Sequence, residues 1–99
     1  MSVPETLRAD ADLYERKARD YAPGGDLFEN FRFSSTFAAR VCRGLSETDP
    51  RRATAVLCGV KISRMQTLGL AGSASNEGVL DTIRDLRVYL AILEELSQV

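Results

Sequence analysis

The 99-residue sequence contains no histidine and has two cysteines, Cys42 and Cys58. Two thiolates without an imidazole cannot complete the four-ligand set of a structural zinc site. The lack of histidine also excludes serine or cysteine triads that use imidazole as the base. Both cysteines fall among apolar neighbours in segments with helical spacing. We therefore expect buried free thiols, as is usual in a reducing cytoplasm.

The sequence also lacks an excess of either charge. Thirteen Lys and Arg residues stand against fourteen Asp and Glu residues, which gives a formal net charge of −1. A dedicated duplex-DNA binder would be expected to carry a basic surplus that neutralises phosphates. We therefore expect no duplex nucleic acid as partner, although a local basic pocket for one small anion remains compatible with this balance.

Long apolar runs are absent as well. No stretch of about 18 apolar residues is available to cross a bilayer. The first twelve residues lack both the basic start and the apolar stretch of a signal peptide. We expect a cytoplasmic protein that does not associate with a membrane.

What the sequence does contain is helical periodicity, and no alternating strand pattern competes with it. It predicts a single all-α domain over residues 1–99, a compact bundle of about four helices. Ser2, Asp26 with Glu29, and Asp49 before Pro50 are start signals. The predicted helices cover residues 4–21, 27–43, 50–68 and 76–97.

Each predicted helix has a side on which apolar or small residues recur at spacings of three and four. These seams are Leu7, Ala11, Tyr14, Ala18 and Tyr21; Phe28, Phe31, Ser35, Ala38, Val41 and Leu45; Ala53, Val56, Leu57, Val60, Arg64, Thr67 and Leu68; and Val79, Ile83, Leu86, Leu90 and Leu93. After folding, a chain this short still exposes to solvent roughly 35–40% of the surface that its unfolded form exposes. Because pairing with a second copy supplies missing burial, we expect a homo-oligomer.

One charged residue interrupts the third seam. Arg64 projects near the middle of the apolar side of the helix, with Lys61 at its edge. Burying an unpaired charge costs several kcal/mol, so Arg64 must find a carboxylate, a ligand anion or a route to solvent. On the fourth helix, Asp81 and Asp85 lie one turn apart on a stripe that later becomes apolar, which predicts a partly enclosed position for both acids.

Two interpretations of Lys61, Arg64, Asp81 and Asp85 stay open at this point. In the first, they form a salt-bridge network that ties helix three to helix four. In the second, they line a pocket in which the cations contact phosphate or ribose oxygens and the acids contact sugar hydroxyls, base amines or a metal.

Aromatic and amide side chains earlier in the chain are candidates for the rest of such a pocket. Phe33 falls off the main seam of its helix and is suited to stack on a base. Tyr21 and Asn30 flank the Pro-Gly-Gly break and the start of helix two, and they are candidates for a stacking or edge contact.

Three stretches of the sequence together resemble small phage-encoded helical domains of the nucleotide-modification-associated type. These domains look like distant relatives of the MazG-type all-α NTP pyrophosphatases. The stretches are Tyr14-Glu15-Arg16 leading to Asp20-Tyr21 and Glu29-Asn30-Phe31; Gly59 to Met65; and Asn76-Glu77 followed by Asp81 to Leu86 and Tyr89.

The resemblance implies an all-α bundle, frequently oligomeric, with a nucleotide pocket between helices, and it adds Tyr89 to the candidate ligand contacts. It does not carry over pyrophosphatase chemistry cleanly. The MazG-type site needs two acidic pairs on successive helices to hold Mg²⁺ against phosphates. Here Lys61 and Arg64 stand where one acidic pair would be wanted.

Three functions follow as expectations. The first is binding of a nucleotide-type ligand without turnover and without a cofactor, plausible for a phage protein that sequesters a nucleotide immune signal of the infected bacterium. The second is a Mg²⁺-dependent NTP or dNTP pyrophosphatase that uses Glu77, Asp81 and Asp85, with Glu15 from another helix or subunit. The third is a structural or protein-binding helical module.

Overall fold

The computed structural model describes the backbone of residues 2–21, 28–71 and 76–98, and the side chains of residues 2–17, 28–71 and 78–98. The prediction of an all-α fold with four helices is confirmed, and the described residues contain no strand. The helices are α1 (Val3–Tyr21), α2 (Glu29–Val41), α3 (Pro50–Leu68) and α4 (Asn76–Ser97).

The helix ends follow from local capping chemistry. The Ser2 hydroxyl accepts a hydrogen bond from the backbone N–H of Glu5 at 3.2 Å, and the Asp49 carboxylate accepts one from the N–H of Arg51 at 2.9 Å. Gly69 ends α3 with a φ of 71°, which favours glycine. The boundaries of α1, α3 and α4 therefore agree with the predictions to within one residue.

Helix α2 is shorter than predicted at both ends. Its N-cap position is Phe28, which makes no side-chain capping bond, and its C-cap is Cys42. The predicted cap, Asp26, lies outside the described residues. Gly44 follows with a φ of 82°, so the left-handed residue lies three positions after Val41, the last residue of the helix.

Helix α3 packs against both α2 and α4 and is the centre of the fold. The side chains buried there are unusually small, and the largest apolar residue among them is a valine. The buried residues are Ser34, Ala38, Cys42, Thr54, Ala55, Cys58, Gly59, Ser63, Val79 and Thr82. The core therefore depends on close helix approach rather than on large apolar side chains.

The closest approach joins α2 and α3. A Cβ atom on Gly59 would lie 2.9 Å from the Cα of Ser34 and 3.4 Å from a ring carbon of Phe37. The Ser34 hydroxyl donates to the carbonyl of Asn30 in its own helix, and Thr82 donates to the carbonyl of Gly78 at 2.7 Å. Because these buried hydroxyls find acceptors one turn back, they can sit in a tight contact without a desolvation penalty.

The predicted apolar seams of α2 and α3 do not match the buried sides of these helices. The two helices pack through the small residues of this contact instead. On α2, Phe28, Phe31 and Val41 are exposed, and Ala38 is the buried member of the predicted seam. On α3, the seam members that prove exposed are Ala53, Val56, Leu57 and Thr67. Most of the large apolar side chains in these two seams thus face outward, whereas Leu45, Val60 and Leu68 are half-buried.

The α4 seam is largely confirmed. Val79 is buried, and Ile83, Leu86 and Leu93 are half-buried, whereas Leu90 is exposed. The second stripe of α4, which was expected to be covered, is exposed in the single chain at Val88, Ile92 and Leu96.

Helix α1 stands apart from this packing. Every described side chain from residue 2 to residue 17 is exposed, including Leu7 and Tyr14 of the predicted seam. The radius of gyration is 16.2 Å, against about 13 Å for a compact 100-residue domain. The chain by itself therefore leaves an amphipathic helix without packing.

The Asp49 cap predicts a specific acid response. Hydrogen bonds from the Arg51 guanidinium and backbone N–H lower the pKa of Asp49 from 3.8 to about 2. Because the folded-state pKa is the lower one, ionised Asp49 stabilises the fold fully above pH 3.8 and progressively less as the pH falls towards 2.

We therefore expect the melting temperature to fall less steeply for Asp49→Asn than for the wild type between about pH 5 and about pH 2. The amide still caps α3 but cannot titrate. Thermal melts followed by circular dichroism test this expectation, and parallel curves for the two proteins would contradict it.

Candidate functional site

The predicted contact between α3 and α4 is present at Lys61 and Asp85. The ammonium Nζ of Lys61 lies 3.0 Å from Oδ2 of Asp85, with the two side chains 22% and 51% exposed. Partly exposed pairs of this kind contribute only about 0–1 kcal/mol because water screens them. The bridge ties the two helices weakly, and an anion in solution can reach it.

Arg64 follows Lys61 by three residues on α3 and therefore lies on a neighbouring part of the same side. Its side chain is half-buried, and the terminal Nη1 is buried. The apolar side on which Arg64 projects is not the buried side of α3, which includes Cys58, Gly59 and Ser63. Two half-buried cations thus lie one turn apart on α3, and Lys61 reaches α4.

Asp81 is not part of this contact. Its carboxylate lies 3.5 Å from the guanidinium of Arg84 on the same helix, and the two side chains are 61% and 67% exposed. The predicted enclosed position is therefore wrong for both acids, since Asp81 and Asp85 lie on an exposed stripe of α4. Asp85 alone of the two reaches α3.

Of the other predicted contacts, Tyr89 lies one turn after Asp85 on α4 and is half-buried. Asn30 is half-buried on α2, where its carbonyl accepts the Ser34 hydroxyl, and Glu15 is exposed on α1. The side chains of Tyr21 and Glu77 lie outside the described ones.

Phe33 belongs to a different surface. It stacks on Phe37 with ring centroids 6.2 Å apart and planes 15° from parallel. The two rings line an open depression of 380 Å³, here called the α2 groove, whose described lining residues are Phe33, Thr36, Phe37, Arg40 and Val41. These residues recur in the sequence at spacings of three and four, which is the signal of one helix side, but no second apolar side of α2 was predicted from that spacing.

A second cavity, of 170 Å³, lies where the end of α2 meets the start of α3 and the end of α4. Arg51 lines it, but two hydrogen bonds of 3.1 and 2.8 Å from its guanidinium hold it against the carboxylate of Asp49. This hydrogen-bonded pairing also raises the pKa of Arg51. Because Arg51 is committed to the Asp49 cap, the cavity offers a ligand little beyond its apolar wall.

The described residues contain no group of three or more acids or cysteines that could hold a metal ion. Asp85 lies against Lys61, and Asp81 lies against Arg84. Of the acids proposed for metal binding, Asp81 and Asp85 therefore each have a cation beside them, and Glu15 is exposed on α1.

No family model, curated protein or solved structure shows significant similarity to the chain. No described helix is long and apolar enough to span a membrane. The residues that bear on function in this structure are therefore Lys61, Arg64 and Asp85.

Proposed function

We propose that the chain binds a phosphate-bearing, nucleotide-type small molecule and releases it unchanged. The observation that carries the proposal is the placement of two half-buried cations, Lys61 and Arg64, one turn apart on α3, with Lys61 in contact with Asp85 of α4. A doubly charged patch of this kind matches the phosphate group in charge and in hydrogen-bonding capacity.

The internal bridge does not hold Lys61 strongly enough to exclude an anion. The Lys61 and Asp85 pair is worth about 0–1 kcal/mol because water screens it. An ammonium group has three donors, so Lys61 can contact a phosphate oxygen while it keeps Asp85. Asp85 is then placed to accept a hydrogen bond from a sugar hydroxyl or a base amine.

Binding without hydrolysis fits the acids better than catalysis does. A pyrophosphatase needs carboxylates that hold Mg²⁺ and activate water. Asp85 already lies against Lys61, and Asp81 is exposed beside Arg84. On the resemblance to phage domains, we propose sequestration of a nucleotide signal as the biological use of this binding.

The test is a thermal-shift screen in the absence of metal, with mono-, di- and cyclic nucleotides and NAD-derived compounds. A ligand at a hundred times its Kd stabilises the fold by about 2.7 kcal/mol. For a chain of this size that is a rise of about 10 °C or more in Tm. Mass spectrometry after incubation with Mg²⁺ should recover the ligand unchanged, and release of pyrophosphate would favour the pyrophosphatase instead.

Variants separate ligand binding from helix packing. Lys61→Met and Arg64→Met should each weaken binding about tenfold or more, because each loses a charge-assisted contact worth at least about 1.4 kcal/mol. Arg87→Met, at an exposed position of α4, is the matched control and should bind as the wild type does. The exchanged pair Lys61→Asp with Asp85→Lys should keep the fold and lose the ligand. Flat melting curves across the whole screen would reject the proposal.

The second candidate is a helical module that binds other protein surfaces, and the exposure of large apolar side chains favours it. Fifteen such residues are exposed among the described ones, distributed over all four helices. Single exposed apolar residues are normal, but contiguous apolar surface marks interaction sites.

A further inference from the structure

The exposed helix α1 has a distinct apolar side. Leu7 and Tyr14 are 62% and 54% exposed and lie two turns apart, with Ala11 between them. An isolated helix of this length is marginal in water, because tertiary packing of the apolar side supplies most helical stability. The 19-residue α1 therefore needs a surface to pack against.

The area of the chain shows how large that surface is. Its accessible surface is 7373 Å². A folded monomer of 10.9 kDa is expected to expose about 5,600 Å², which leaves an excess of about 1,800 Å². A stable interface buries about 800 Å² on each partner, and obligate homodimers bury more. The excess is therefore enough for an obligate interface between copies.

The α2 groove matches the apolar side of α1 in shape and polarity. Its described walls are the stacked rings of Phe33 and Phe37 together with Thr36 and Val41, and Arg40 is its charged member. An apolar depression of this kind can accept the apolar side of an amphipathic helix through side chains spaced at three and four residues.

The net charges of the two helices are opposite in sign. Helix α1 carries five acids and four bases, and α2 carries one acid and two bases, so their formal net charges are −1 and +1. Arg40 is the charged residue of the α2 groove. At about 100° per residue, the apolar side of α1 is flanked by Asp10 and Glu15 as well as by Arg8 and Lys17. Opposite charges on facing surfaces favour the correct partner, so Arg40 can select an orientation that places it beside Asp10 or Glu15.

We infer that α1 of one copy packs into the α2 groove of a second copy, and that the second copy returns the same contact. The two contacts are equivalent in a two-fold dimer, so no groove and no α1 remains uncovered. Leu7 and Tyr14 lie against Val41 and the Phe33 and Phe37 rings of the partner, with Arg40 beside the acids of α1.

Sedimentation equilibrium and native mass spectrometry of the full chain test this arrangement. The wild type should be a dimer. Leu7→Asp with Tyr14→Asp should be monomeric, with a dissociation constant raised about a hundredfold or more, because carboxylates would be buried in an apolar contact. The control is Thr6→Asp with Leu13→Asp, which adds the same two charges at the same spacing but about 100° away from Leu7 and Tyr14 around the α1 axis. This variant should remain dimeric.

A mixing experiment distinguishes this contact from other pairings. Val41→Asp alters the groove at an exposed position and should also be monomeric. The Val41→Asp protein keeps an intact α1, and the Leu7→Asp, Tyr14→Asp protein keeps an intact α2 groove. When the two are mixed, they should form a heterodimer through this one intact contact. A monomeric wild type, a mass above the dimer, a dimeric Val41→Asp protein, or a mixture that stays monomeric would each overturn the inference. Circular dichroism checks that the monomeric variants lose no more helix than the 19 residues of α1.

Discussion

Gly59→Leu should lose about 3 kcal/mol or more of folding stability, among the largest single-residue effects in this chain. Even the first added atom, Cβ, would lie 2.9 Å from a backbone atom, the Cα of Ser34. A backbone atom cannot rotate away as a side chain can, so α2 and α3 must separate. Much of the small core lies between α2 and α3. A loss of about 3 kcal/mol there is a large part of the 5–15 kcal/mol by which a typical domain is stable.

Urea unfolding followed by circular dichroism measures this effect, and a second glycine supplies the control. Gly78 is also helical, but a Cβ there would meet only a methyl group of Leu68 at 3.9 Å. Gly78→Ala should leave stability unchanged or raise it by up to about 1 kcal/mol through helix propensity. Gly59→Ala should be less stable than the wild type despite the same gain in propensity. A Gly59→Leu protein as stable as the wild type would show that the helices do not meet at this point.

Both thiols should resist alkylation in the folded protein. Cys42 and Cys58 are 2% and 0% exposed, and burial raises the pKa of the Cys58 thiol. Since the thiolate is the reactive form and must meet the reagent, labelling requires opening of the core. With an opening free energy of at least about 5 kcal/mol, iodoacetamide should react about a thousandfold or more slowly than with the urea-unfolded chain.

Mass spectrometry counts the labelled thiols with time, and an exposed cysteine calibrates the reagent. Ser35 is exposed and directly follows the buried Ser34, so Ser35→Cys should add one rapidly labelled site on the same helix. Labelling of either native thiol at the rate of the new cysteine would mean that the core described for α2 and α3 is open in solution.

The helices could be predicted because their ends are fixed by neighbours in sequence. Ser2 caps α1 through a residue three positions on, and Asp49 caps α3 through a residue two positions on. The buried thiols were also predictable, since cysteine among apolar residues in a helix is usually inside. Helix α2, whose described N-cap makes no side-chain bond, is the one whose limits were predicted least well.

The candidate site was predicted in part. Opposite charges on α3 and α4 indicated a contact between these helices, and the pair of Lys61 with Asp85 is present. The partner of Asp81 was not foreseen, because Arg84 competes for it from the same helix, three residues away. A periodic pattern gives the side of a helix on which a charge lies, but it does not say which neighbour is nearest in space.

By itself the sequence determined the all-α class, the limits of α1, α3 and α4, the buried side of α4 and the small buried thiols, because capping, periodicity and glycine conformations act over a few residues. Only the tertiary structure decided which sides of α2 and α3 are buried. Hydrophobicity pointed to Phe28, Phe31 and Leu57, yet these side chains are exposed, and the tight contact of Gly59 with Ser34 lies inside. Large side chains hold helices apart and small ones let them approach, so the closest packing formed where the sequence is least apolar.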